Sequence, residues 1–321
     1  MSLAERLQSV LVTLAALLGL GAGLLLPIGG AAGYLVLPAL LVMVTAVFLQ
    51  MDAGQVGAVR RARSVVAASL VLNFVVTPLF AWVLGAGLLG GRPDLQIGLL
   101  LLLVTPCTDW YLVFTAIARG HTGIAAALLP VNLVLQLALL PVYVLLLGGQ
   151  AARVDGATLV ESVLLVLVVP LVLATAVRLL ATRARGAGWR DRVIIGPASR
   201  LVLPMLYVAV AAMFAWQART VVAHGTELLA LVPPLLIFLV VLPLLATAVA
   251  RLLRLPAAQR VTLTMVSTAR NSPIALAIAV AAFPDRPLIA VALVVGPLLE
   301  LPALAVLAQI VRVRQPAGTP A

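Results

Sequence analysis

Long, continuously apolar runs alternate with short polar connections along this chain of 321 residues. The runs do not alternate apolar with polar, which argues against an outer-membrane barrel. They match helices crossing a hydrocarbon core about 30 Å thick, which needs about 20 apolar residues each. Ten spans are predicted, at roughly 9–29, 31–50, 64–89, 95–118, 122–148, 158–180, 197–218, 228–250, 258–282 and 287–311. The first connection, Pro27-Ile28-Gly29-Gly30, is short enough to make spans one and two a tight hairpin. The predicted fold class is an all-α polytopic membrane protein.

Composition removes the rivals. Hydrophobic types make up 64% and charged types 10%, and the mean hydropathy is +1.23. Too little polar surface exists to cover a soluble fold, and the chain is too apolar for disorder. One cysteine, Cys107, excludes a disulfide scaffold. The run from Ser9 to Ile28 is too long for the h-region of a removable signal. The net charge of +11 would suggest nucleic acid in a soluble protein. Here the placement of the charge explains it, and no nucleic-acid partner is expected.

All 21 basic residues are arginine. With the N-terminus inside, sixteen fall in cytoplasmic connections, including Arg60, Arg61 and the stretch from Arg178 to Arg200. Four fall outside (Arg92, Arg153, Arg219 and Arg286), and Arg270 lies within a span. This asymmetry predicts ten spans with both termini cytoplasmic, in an inner or plasma membrane. Residues 1–150 give five spans and residues 151–321 five more. Five is odd, so the second half enters from the opposite side: two inverted five-helix repeats in one integrated membrane domain, a plan common in secondary transporters.

Two spans carry polar runs with proline. Span four contains Thr105-Pro106-Cys107-Thr108-Asp109, and span nine Ser267-Thr268-Ala269-Arg270-Asn271-Ser272-Pro273. Proline removes a donor and obstructs the preceding turn. Polar backbone at membrane depth is tolerated only inside protein or beside a water-filled cavity. Each run predicts a broken helix, and paired breaks in two halves point to a transporter's binding site. Asp109 and Arg270 are expected to approach each other there, because a mid-membrane charge without partners is costly. The competing expectations are that Asp109 only caps the restarted helix and that Arg270 snorkels to an interface.

Glu300, between Pro297 and Pro302, is the second intramembrane acid. A buried carboxyl there can release and rebind a proton. Asn132 and Gln136 in span five are expected to hydrogen-bond between helices, and Asn73 in span three to line the core. Cys107 alone reads as a small buried hydrophobe, but in the break it is also a soft ligand. It builds no metal cage, since a structural metal needs about four ligands and His121 and His224 fall at opposite surfaces. No Walker, Rossmann or HExxH pattern is present. No cofactor is implied, and no general base lies at the depth of Cys107 and Asp109 to support an enzyme.

At these residues the sequence resembles the bile acid:sodium symporter superfamily. The stretch Ala269-Arg270-Asn271-Ser272-Pro273 through Ala279, followed by Phe283-Pro284, is similar to that superfamily's Asn-Ser segment on span nine. Two details resemble its arsenite-efflux permease branch: the lone cysteine in the span-four break, and an acid followed by a small hydrophobe and proline, Glu300-Leu301-Pro302. The resemblance implies broken helices four and nine. It also implies a bundle of spans one, two, six and seven beside a core of the rest. In function it implies arsenite extrusion driven by the proton gradient, with Cys107 as a transient thiol ligand and Glu300 as the coupling group.

The chain departs from the sodium branch where that branch carries a glutamate ligand; here the positions read Val266, Ser267 and Thr268. Arg270 stands in place of a glutamine and cannot lose its charge, so sodium coupling is not expected. The open alternative is an organic-anion transporter, sodium-coupled or not, with Arg270 facing a carboxylate or sulfonate. On either reading the site residues are Cys107, Thr108, Asp109, Arg270, Asn271 and Ser272. Glu300 couples, and Asn73, Pro106, Asn132, Gln136 and Pro273 support. The partners are a small-molecule or metalloid substrate, protons and the lipid bilayer.

Overall fold

The computed structural model describes residues 8–50, 62–107, 110–148 and 156–313. They form helices α1 (Gln8–Leu25), α2 (Gly29–Leu49), α3 (Arg63–Leu88), α4 (Pro93–Leu103), α5 (Trp110–Ile117), α6 (Thr122–Leu147) and α7 (Ala157–Arg185). There follow α8 (Ala187–Trp216), α9 (Ala218–Ala223), α10 (Gly225–Leu252), α11 (Ala257–Thr268), α12 (Ser272–Ala282) and α13 (Pro287–Val313). Seven helices among the described residues are long and apolar enough to cross a membrane: α2, α3, α6, α7, α8, α10 and α13. Shorter apolar segments occupy α1, α4 and α12.

Apart from α9, which lies in a predicted connection, the helices fall on the predicted segments, with most ends shifted by a few residues. The largest shift is at α8, where a π-turn over Asp191–Ile195 carries helix through the arginine-rich connection. Predicted spans four and nine each resolve into two helices. At a rise of 1.5 Å per residue, a helix such as α4 (11 residues) or α11 (12 residues) reaches only about half of a hydrocarbon core.

Proline shapes several helices. Three π-turns, Leu72–Val76, Leu164–Val168 and Asp191–Ile195, each end two residues before a proline, Pro78, Pro170 and Pro197. A proline takes away the N–H that would bond the carbonyl four residues back, and its ring crowds that carbonyl. A π-turn relieves the conflict by widening one turn. In α3 the carbonyl so affected is that of Phe74, and the Tyr143 hydroxyl from α6 donates to it at 2.6 Å.

The chain divides into two compact units that interleave its two halves. The first takes the described residues of Met1–Met51, Arg153–Leu228 and Pro273–Leu298; the second takes those of Asp52–Ala152, Leu229–Ser272 and Leu299–Ala321. Spans one, two, six and seven fall together in the first unit, whereas the resemblance implies a bundle of those four alone. That unit also takes most of α12 and the first part of α13.

In the first unit α8 packs against α1 and α2. The approach is close because of Gly19 and Gly23, one turn apart on α1. A Cβ on either would overlap the backbone carbonyl of Ala211 or Ala215. Small residues at four-residue spacing are a common means of bringing two helices together in lipid, where apolar burial alone does not drive association. Large apolar side chains such as Leu17, Leu18, Leu35, Val172 and Leu180 stay exposed. In a membrane this surface faces acyl chains.

The second unit has a polar interior. Ser69, Asn73, Thr77, Thr105, Asn132, Gln136, Thr264, Ser267, Thr268, Arg270, Asn271 and Glu300 are all buried in it. Beside them lies an apolar cluster that includes Val65, Tyr111, Phe114, Leu128 and Met265.

Replacing Gly23 with leucine is expected to separate α1 from α8 and to destabilise the protein by at least the 1–3 kcal/mol, roughly, of an overpacked core. Thermal unfolding in detergent checks this. Gly21, where a Cβ meets nothing, should accept alanine with little change.

Candidate functional site

The two broken helices meet through their unwound segments. Helix α4 ends at Leu103 and α11 at Thr268. Beyond them Pro106 and Arg270 form an antiparallel bridge. The Cys107 N–H donates to the Ala269 carbonyl at 3.1 Å, and the Asn271 N–H to the Thr105 carbonyl at 2.8 Å. These two bonds flank Pro106 and Arg270 as a non-hydrogen-bonded pair, a position that asks no N–H of Pro106. The Thr105 hydroxyl turns back to the Leu101 carbonyl, and the Thr268 hydroxyl to that of Thr264 at 2.7 Å. The Arg270 N–H is bonded by the Glu300 carboxylate from α13, at 2.6 Å. The N–H groups of Cys107, Arg270 and Asn271 are thus satisfied within protein, as unwound chain at membrane depth requires.

The Arg270 side chain is 4% exposed and stays in the interior; it does not snorkel. Its Nη1 donates to the Leu103 carbonyl at 2.9 Å. Nη2 donates to Asn73 Oδ1 at 2.8 Å and to the Ser267 carbonyl, and Nε to the Thr268 carbonyl at 3.4 Å. The guanidinium carbon lies 5.4 Å from the ring centroid of Phe238 on α10, within cation–π range. Phe238 in turn stacks on Phe80 of α3. Asn73 sits in the π-turn of α3, and its amide Nδ2 donates to Ser69 Oγ at 3.3 Å.

The structure therefore brings together Pro106, Cys107, Arg270, Asn271, Glu300 and Asn73. Thr108 and Asp109 lie outside the described residues, and with them the expected Asp109–Arg270 contact. Cys107, a buried thiol, sits on the bridge itself. Ser272 begins α12 and is buried, and its hydroxyl has no hydrogen-bond partner among the described residues. Pro273 follows at the second position of α12, where a missing N–H costs nothing.

Asn132 and Gln136 correct an expectation. Both are buried on α6, and among the described residues neither amide has a hydrogen-bond partner. The interhelical bonds predicted for them are not made there. Ser267 Oγ and Thr77 Oγ1 are likewise buried and unpartnered among the described residues. Buried polar atoms in native proteins nearly always find a partner in protein or water, so this interior suits water or a polar solute.

Sequence reasoning missed Phe238 and the acceptor roles of Leu103, Ser267 and Thr268. A carbonyl leaves no trace in residue type. Ser69 was also missed, although Ser69, Asn73 and Thr77 recur every fourth residue on one helix, a polar stripe in an apolar span.

A polytopic helical protein whose paired broken helices cross around a buried charge and unfilled polar groups has the build of a membrane transporter. The chain belongs to the sodium bile acid symporter family, whose model matches residues 37–224. It is 26% identical over 247 residues to the arsenical-resistance protein Acr3 of Corynebacterium glutamicum, covering 74% of this chain and 66% of that protein. It is 26% identical over 218 residues to Acr3 of Alkaliphilus metalliredigens, covering 68% and 61%. An uncharacterized transporter of Synechocystis is 24% identical over 214 residues, covering 66% and 56%. The chain thus spans less than two thirds of the length of these relatives.

Asn73→Ala leaves a guanidinium N–H without its acceptor. It is expected to cost about 1–3 kcal/mol of stability, read as a lower melting temperature in detergent. Asn73→Asp keeps the oxygen and should lose less.

Proposed function

We propose that this protein is a secondary active transporter of the plasma membrane that exports arsenite, or a related trivalent metalloid, driven by the proton gradient. In this reading ten spans form two inverted repeats, 1–150 and 151–321, with both termini cytoplasmic. The observation that carries it is the position of the chain's only thiol. Cys107 lies on the bridge between the two broken helices, next to the Arg270–Glu300 contact. Two relatives named for arsenical resistance support the substrate class.

The chemistry suits one thiol. Trivalent arsenic is soft and prefers sulfur. Cys107 Sγ forms an As–S bond to arsenous acid while one As–OH bond breaks; the thiol proton leaves with that hydroxide as water. No electrons are exchanged, and the reverse step is hydrolysis. A single As–S bond is readily released on the far side, whereas three would trap the cargo. Thr108, Asp109, Asn271 and Ser272 contact the remaining hydroxyls in this reading. Asn132 and Gln136 line the hydrated interior.

Glu300 is the coupling group. Its carboxylate accepts from the Arg270 main chain, so its protonation weakens the bond that pins the span-nine break. The organic-anion alternative has less support: Nε, Nη1 and Nη2 of Arg270 all donate to protein oxygens, which leaves the guanidinium little to offer a carboxylate.

Arsenite uptake into everted vesicles energised by a proton gradient tests this. Wild type should accumulate arsenite, and Cys107→Ser should lose most of that uptake. Undiminished uptake in the serine variant would remove the thiol mechanism. Glu300→Gln keeps an oxygen acceptor for the Arg270 N–H, so it should fold normally while its residual uptake no longer responds to the proton gradient.

A further inference from the structure

The guanidinium of Arg270 occupies an unusual place. Helices α4 and α11 both finish at the crossing, and the last carbonyls of a helix carry its partial negative charge. Leu103 closes α4 and receives Nη1; Ser267 and Thr268 close α11 and receive Nη2 and Nε. The fourth acceptor is the amide oxygen of Asn73. Among the described residues the guanidinium thus donates to three main-chain carbonyls and one side-chain amide, all neutral oxygens, while the Glu300 carboxylate bonds the N–H of the same residue.

Such a set is the donor chemistry of a hard monovalent cation. In transporters with broken helices, unwound carbonyls and half-helix C-termini are what hold a coupling ion. A second positive charge among the same four oxygens would meet the guanidinium at contact distance with no free ligands. The residues present therefore do not fit a sodium ion while Arg270 is in place.

We infer that Arg270 is a tethered cation: its guanidinium stands where a diffusible coupling ion would bind, so this protein holds its two broken helices together without sodium or potassium. This rests on the reading of the protein as a transporter and deepens it by naming what replaces the ion. The arrangement is intramolecular, so it does not respond to external salt. Removing the side chain would leave a cage of carbonyl and amide oxygens that a small cation can enter.

The test uses purified full-length protein in detergent, with thermal unfolding followed in sodium, potassium and N-methylglucamine chloride at matched ionic strength. Wild type should melt at the same temperature in all three and show no saturable binding of radioactive sodium. Arg270→Gln should melt lower in N-methylglucamine and recover several degrees in sodium, with a saturable dose dependence. Arg270→Lys, which keeps the charge, should stay indifferent to the cation. A folded Arg270→Gln protein that ignores sodium would overturn the inference. So would saturable sodium binding by wild type, an arm that does not depend on any variant folding. These readouts need no arsenite. Failure of arsenite uptake would remove the proposed substrate and leave the cation result standing; the converse pair of outcomes would do the opposite.

Discussion

A positive charge that cannot be neutralised must be surrounded by acceptors wherever it is buried, and Arg270 meets that demand with main-chain oxygens. Helix carbonyls become available only where helices stop. The two helices must therefore end beside the guanidinium, and the proline and the extended segments that end them follow from the same requirement. Asn73 is delivered by a π-turn, and that turn goes with Pro78 two residues beyond it. Five elements (α3, α4, α10, α11 and α13) are tied to one side chain or its own N–H. A serine or alanine at this position would remove the reason for most of the local geometry.

The two compact units are held by different physics. In the second unit the interior is polar, and hydrogen bonds between helices are specific and directional. In the first unit the buried side chains are mostly small or aliphatic, with Ser162 and Gln217 among the few polar exceptions. There contact is by shape, through glycines that let α1 lie against α8. Lipid offers apolar groups no reason to associate, so close approach must supply the attraction.

Much of this was readable beforehand. The runs around Pro106 and Pro273 stood out as polar interruptions of apolar spans, and both are breaks. Arg270 and Glu300 were visible as charges at the wrong depth, and both are buried at the crossing. What the residues did not disclose was the nature of the partners. A reader of side chains looks for a carboxylate to match an arginine; among the described residues the bonds of the Arg270 side chain go to Asn73 and to three main-chain carbonyls, a group that every residue has. The expected hydrogen bonds of Asn132 and Gln136 failed for a related reason. Residue type shows that an amide must be satisfied, not whether protein, water or cargo does it. Phe238 was unreadable because an aromatic ring in an apolar span looks the same whether it packs on leucine or on a guanidinium.

The seam between α1 and α8 carries a consequence for how such a protein can change over generations. At Gly19 and Gly23 the atoms met by an added Cβ are the backbone oxygens of Ala211 and Ala215. When a side chain blocks another side chain, a second substitution can make room. No replacement at 211 or 215 removes a carbonyl. Drift at these two positions therefore has no local remedy, and lineages of this fold can alter their lipid-facing leucines freely while the glycines opposite α8 stay as they are.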